Sequence, residues 1–219
     1  MKRALSDKRP WLLASLIAGI SYYFVRDAAV PGLYLMAWKG AGVALLAGYA
    51  LARHKGADSR QIALVMGFGA LGDVLIELVL EWGAVAFLIG HLIAIALYLR
   101  HRRAAPGLSQ RAAGLALLLL VPLISFLLPA DGAAAPGIAL YASGLGAMAA
   151  TAWTSSFPRC RVGLGAVLFV VSDLLIFARM GPLAQSALPD LLIWPLYYFG
   201  QLLICTGVVG ELHRRRETG

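Results

Sequence analysis

Apolar residues fill this chain in eight long runs separated by short polar gaps. The runs lie at about 11–25, 31–52, 61–80, 82–100, 112–129, 136–155, 162–180 and 190–210. Most approach the ~20 residues that a helix needs to cross ~30 Å of hydrocarbon; the first is shorter. Irregular backbone cannot face lipid, because its N–H and C=O groups would go unpaired, so each run reads as a helix. The pattern predicts an all-α membrane protein with eight transmembrane helices. Residues 1–219 form a single integral membrane domain, since no gap is long enough to be a linker.

The polar residues inside these runs fall at similar depths. Asp73 is about thirteen residues into the third run and Asp173 about twelve into the seventh. Lys39, His91 and Gln201 lie about nine to twelve residues into the second, fourth and eighth. At ~1.5 Å per residue all five sit within a turn or two of the midplane. Glu77 is expected one turn outward of Asp73 on the same helix face. A charge at the bilayer centre costs at least ~2.5–3.5 kcal/mol, so these groups are expected to face the bundle interior. They define either a polar cavity or a structural ion pair of Lys39 with Asp73 or Asp173. Tyr98, Tyr141, Tyr197 and Tyr198 are candidates to line such a cavity.

Charge fixes the orientation. The chain is 60% hydrophobic and 14% charged, well below the ~25% of soluble domains. Of 19 Lys and Arg residues, 16 collect in the termini and alternate gaps: Lys2, Arg3, Lys8 and Arg9; Arg53, Lys55 and Arg60; Arg100, Arg102, Arg103 and Arg111; Arg159 and Arg161; Arg214 to Arg216. The other side holds only Arg26 and Arg179, and Lys39 lies within a run. The positive-inside rule places both termini in the cytoplasm, in keeping with an even number of spans. The net charge of +8 does not point to nucleic acid, because the basic residues are confined to these gaps. The N-terminal run reads as an uncleaved first span rather than a signal peptide, since Arg26 and Asp27 follow it and no good A-x-A site does. Trp11, Trp153, Trp82 and Trp194 read as interface anchors. Cys160 in a basic loop and Cys205 in an apolar run give no sign of a disulfide or a metal site. No cofactor is expected.

Two further patterns bear on the architecture. "GDVLI" at 72–76 is similar to "SDLLI" at 172–176, and "FLIGHLI" at 87–93 to "YYFGQLL" at 197–203. A 4+4 internal repeat with both units in the same orientation follows, with Asp73 and Asp173 as counterparts facing each other across the core. Gly67, Gly69 and Gly72 spell G-x-G-x-x-G, but inside a span and not after a strand, so they are expected to admit a close helix neighbour rather than a dinucleotide.

Lys39, "LGDVLIE" at 71–77, "GAVAFLIGH" at 83–91, "GAVLFVVSDLLIF" at 165–177 and "YYFGQLLICTG" at 197–207 together resemble the YhhN family of eight-span membrane proteins, whose characterised members are lysoplasmalogenases. Gly40 and Ala94 stand where that family often has Pro and Tyr. The resemblance implies hydrolysis of the vinyl ether bond of a lysoplasmalogen to a fatty aldehyde and a glycerophosphoethanolamine or glycerophosphocholine. Such a reaction protonates an alkene carbon, forms an oxocarbenium ion and adds water. It calls for a carboxyl that keeps its proton near neutral pH and an anion beside the cation, as a membrane-buried carboxylate pair can provide. Asp73 and Asp173 are the expected acid and base, with His91 relaying protons or placing water. Lys39, Gln201, Glu77, Tyr197, Tyr198 and Tyr141 are the expected substrate contacts.

The expected partners are a lysophospholipid and the surrounding membrane lipids, in a bacterial cytoplasmic membrane by the Ala- and Arg-rich composition. A polytopic transporter or proton-coupled carrier is the competing class, because midplane ionisable residues and a repeat also mark carriers. A non-catalytic scaffold is the third.

Overall fold

The computed structural model describes residues 9–53 and 55–218. Lys2, Arg3 and Lys8 of the orientation argument lie outside them. The described residues form eight α-helices and no β-strand. These are α1 (Arg9–Val25), α2 (Gly32–Arg53), α3 (Ala57–Leu75), α4 (Leu80–Arg100), α5 (Leu108–Leu127), α6 (Ala135–Thr154), α7 (Leu164–Arg179) and α8 (Leu188–Thr218), with a π-helical turn at Arg159–Gly163 leading into α7. Five stretches are long and apolar enough to cross a membrane: Gly32–Arg53, Leu80–Arg100, Leu108–Leu127, Arg159–Arg179 and Leu188–Glu217; Pro10–Val25 is apolar but shorter. The protein is therefore an all-helical integral membrane protein. The third and sixth expected spans fall below that standard for local reasons. α3 opens on the polar "ADSRQ" and stops at Leu75, and α6 is dominated by Ala and Gly.

The chain divides into two compact units. The first comprises Met1–Ala94 with Cys205–Gly219, and so holds α1, α2, α3, the first part of α4 and the last part of α8. α1 packs on α2 and α2 on α3. Short side chains stitch these contacts: Ser15 Oγ donates to the Gly42 carbonyl at 2.6 Å, and Ser59 Oγ to the Ala50 carbonyl at 2.7 Å. Cys205 Sγ donates to the Leu46 carbonyl at 3.4 Å, tying the end of α8 to α2. The turn between α3 and α4 is tight. A methyl group on Gly83 would meet the Ile76 backbone at 2.7 Å, so only glycine lets α4 begin there. One consequence corrects the sequence reading: Glu77 lies in this turn, beyond the last residue of α3, and not on a helix face above Asp73.

The second unit is Ile95–Ile204, the last part of α4, α5 to α7 and the first part of α8. α5 packs on α6 and α6 on α7. At one end a short antiparallel bridge pairs Arg102 with Ser155, supported by the Ser156 N–H to the His101 carbonyl at 2.7 Å. Phe157 is sealed beneath it, edge-on to Tyr98. At the other end the Ala130 N–H donates to the Met180 carbonyl at 3.0 Å.

Part of the burial pattern of α3 recurs in α7, and part of that of α4 recurs in α8. Along α3, residues 62, 63, 65, 66, 69, 70, 72 and 73 are buried; in the π turn and α7, residues 162, 163, 165, 166, 169, 170, 172 and 173 are. Along α4, residues 87, 90, 91, 94, 97 and 98 are buried; along α8, residues 197, 200, 201, 204, 207 and 208. These are stripes spaced three and four residues apart, as a helix with one buried face produces. The offsets are 100 and 110 residues, those of the sequence matches.

The helix crossings agree too. A methyl on Gly90 would touch the Val65 carbonyl oxygen at 3.6 Å and Phe68 Cβ at 3.4 Å. A methyl on Gly200 would meet the Gly165 carbonyl oxygen at 2.8 Å and Leu168 Cβ at 3.5 Å.

Candidate catalytic site

In the second unit the close crossing of α6 and α7 brings Tyr141 onto Asp173. The phenolic O–H donates to Asp173 Oδ2 at 2.6 Å. Asp173 is buried, and the residue before it, Ser172, donates its hydroxyl to the Ile193 carbonyl at 2.9 Å, fixing α8 against α7 beside the carboxyl. An acid in an apolar span is thus given one strong, short donor and a rigid mount. Such a bond to an ionised acceptor is roughly twice as strong as a neutral one.

α8 contributes an aromatic stripe. Trp194 stacks on Tyr198 with centroids 5.9 Å apart, and Tyr197 meets Phe169 of α7 edge to face at 5.1 Å. Tyr197 and Tyr198, expected as substrate contacts, are packed into this buried cluster. Trp194 belongs to it as well: it is 5% exposed, a core residue and not the interface anchor expected from sequence. Trp82, at 64% exposure, has the surface position the anchor reading requires. Gln201 follows one turn after Tyr197 and is 2% exposed. Its Oε1 has no hydrogen-bond partner among the described residues.

In the first unit Asp73 and His91 are buried on α3 and α4. Lys39 of α2 forms its ion pair with Glu77, Nζ to Oε1 at 2.5 Å, and not with either aspartate as the structural alternative supposed. The pair is only partly enclosed, the side chains being 16% and 42% exposed. Tyr22 of α1 lies in the electrostatic field of both Glu77 and Asp73. The expected site residues therefore group as Lys39, Asp73, Glu77 and His91 in one unit, and Tyr141, Asp173, Tyr197, Tyr198 and Gln201 in the other.

Ser172, Phe169 and Tyr22 were not legible as site neighbours. Ser172 had the better signal, since it replaces Gly72 in the repeated "xDxLI" segment. Of the three glycines in "GFGALG", Gly72 lies close against the Phe87 ring, where a methyl would meet it at 2.8 Å. Gly67 has nothing within 4 Å and admits no helix neighbour.

This is an all-helical membrane protein with a buried aspartate in each of its two compact units, Asp73 in one and Asp173 in the other. The family model of the YhhN family matches residues 34–208, and the chain belongs to that family. No curated protein and no solved structure matches it.

Proposed function

We propose that the protein is an intramembrane hydrolase that cleaves the vinyl ether bond of a lysoplasmalogen. Membership of the YhhN family supports a hydrolase of this kind. The observation that carries the reading is the Asp173 carboxyl, buried in an apolar helix with Tyr141 donating to one of its oxygens at 2.6 Å.

The chemistry follows from that arrangement. Tyr141 occupies Oδ2, which leaves Oδ1 to hold a transferable proton. Asp173 gives this proton to the vinyl carbon remote from the ether oxygen, and the alkene electrons form the new C–H bond. The carbon attached to oxygen becomes an oxocarbenium ion. The carboxylate left behind, held by the Tyr141 hydroxyl, offsets that positive charge. Water then adds to the cationic carbon and returns a proton to Asp173. The hemiacetal so formed breaks its C–O bond to the glycerol oxygen; its hydroxyl loses a proton as it becomes the aldehyde carbonyl and the departing glycerol oxygen gains one, so the fatty aldehyde and the glycerophospho-base leave with Asp173 still protonated. One carboxyl serves as acid and then as base, the economy also seen in retaining glycosidases.

We further read the chain as two four-helix repeats. The matched burial at offsets of 100 and 110 residues and the glycine crossings at Gly90 and Gly200 support this. Asp73 is then the counterpart of Asp173, and His91 that of Gln201. Eight spans with both termini in the cytoplasm, in a bacterial cytoplasmic membrane, belong to the same proposal.

The test is aldehyde release by the purified protein in detergent, from a lysoplasmenyl lipid and from its ester-linked counterpart. The expected result is aldehyde from the vinyl ether alone. Asp173→Asn is expected to lower the rate by about 10²–10⁴-fold, as loss of an acid–base group does. Asp73→Asn run alongside reads the contribution of the first unit's carboxyl. A folded wild type that releases no aldehyde, but moves a solute across vesicles, would overturn the hydrolase in favour of a carrier.

A further inference from the structure

The amide of Gln201 is a buried polar group that the mechanism leaves unused. It sits on the buried face of α8, immediately after Gly200, where α8 lies close against α7. There a methyl on Gly165 would meet the Gly200 carbonyl oxygen at 2.6 Å. Backbones this close cannot slide, and the aromatic stripe of Trp194, Tyr197 and Tyr198 fixes the turn before it. The side chain is thus held on a rigid segment, 2% exposed, with its carbonyl oxygen unmatched by any donor among the described residues. Buried acceptors are rarely left so, because water has been removed and nothing replaces it.

Ser125 Oγ is also buried and unmatched, but a serine hydroxyl can rotate onto the carbonyls of its own helix. A glutamine Oε1 can only accept, so it requires an O–H or N–H brought to it.

We infer that Gln201 Oε1 accepts the free hydroxyl of a lysolipid's glycerol, and so selects a lipid with one chain over a lipid acylated at both positions. This rests on the lipid-hydrolase reading of the same unit. The hydroxyl is the one donor that separates a lysolipid from its two-chain relative. A site built to bond a ligand hydroxyl rejects the analogue lacking it strongly, since the protein's own buried acceptor is then left bare. Gln201 acts here as a specificity-determining residue, touching substrate away from the bond that breaks.

Binding of two unreactive ligands tests this apart from catalysis. One is a saturated alkyl-ether lysophosphoethanolamine; the other is the same molecule with hydrogen in place of the free hydroxyl. Affinities are measured in detergent for the wild type, Gln201→Met and Gln201→Asn. Methionine keeps the volume without the acceptor, and asparagine withdraws the amide by one methylene. The wild type is expected to bind the hydroxylated ligand about tenfold or more tightly than the deoxy ligand, the usual cost of a bare buried acceptor. Either variant that folds is expected to bring the two within about twofold, mainly by weakening the hydroxylated ligand. Equal binding of the two by the wild type, as a water resident on Oε1 would give, overturns the inference. So does a tenfold difference that survives in the variants. Neither result touches the hydrolase reading, which stands or falls on aldehyde release.

Discussion

The hydroxyl of Tyr141 on α6 donates to Asp173 Oδ2 on α7 at 2.6 Å, within the second unit. A hydrogen bond to a charged partner contributes about 1.5–3 kcal/mol. Where the carboxylate forms only as the substrate turns cationic, that contribution falls on the transition state. Tyr141→Phe is therefore expected to lower kcat by about one to two orders of magnitude, with KM little changed. Steady-state aldehyde release, with thermal unfolding as the control for folding, checks this.

The glycine crossings give a prediction about stability. Alanine at Gly200 or Gly165 drives a methyl into the facing backbone, at 2.8 and 2.6 Å. Backbone cannot rotate aside, and overpacking costs typically ~1–3 kcal/mol. Alanine at Gly67 meets nothing within 4 Å and gains up to about 1 kcal/mol of helix propensity. Melting in detergent should fall for the first two variants and hold or rise for the third.

The Lys39–Glu77 pair should be worth little on its own terms. Its Glu77 end is 42% exposed, and ion pairs open to solvent couple by about 0.2–1 kcal/mol. A double-mutant cycle with Lys39→Met and Glu77→Gln, read by thermal unfolding, is expected to give a coupling in that range. A coupling several times larger would show that the pair is closed off from solvent and headgroups.

The cysteines report orientation. Cys160 is exposed in the π turn among the arginines of the α6–α7 connection, and Cys205 is buried. A membrane-impermeant maleimide should label Cys160 in inverted vesicles and not in right-side-out cells, with Cys205 labelled only after denaturation. Labelling from the outside would reverse the proposed orientation.

What could be read from the chain alone divides along a physical line. Long apolar runs must become helices in lipid whatever their neighbours, because backbone polar groups have no other partner there. That requirement is local, so the eight helices and their approximate limits were legible. The first two residues of "GDVLI" and of "SDLLI" are buried, Gly72 and Asp73 in α3 and Ser172 and Asp173 in α7.

Partners were not legible, because they depend on which faces meet. Lys39 goes to Glu77 and not to an aspartate, since the α3–α4 turn that Gly83 permits carries Glu77 off the end of α3. Trp194 reads as an anchor from its place near a span end, yet the crossing of α8 with α7 folds it inward onto Tyr198. Tyr141 reads as one tyrosine among several until α6 packs on α7 and sets its hydroxyl against Asp173. The sequence by itself determined the helices and which ionisable residues lie within their apolar runs. Only the tertiary structure decided which of them touch, because contact is fixed by close packing between helices distant in sequence, and no local spacing encodes it.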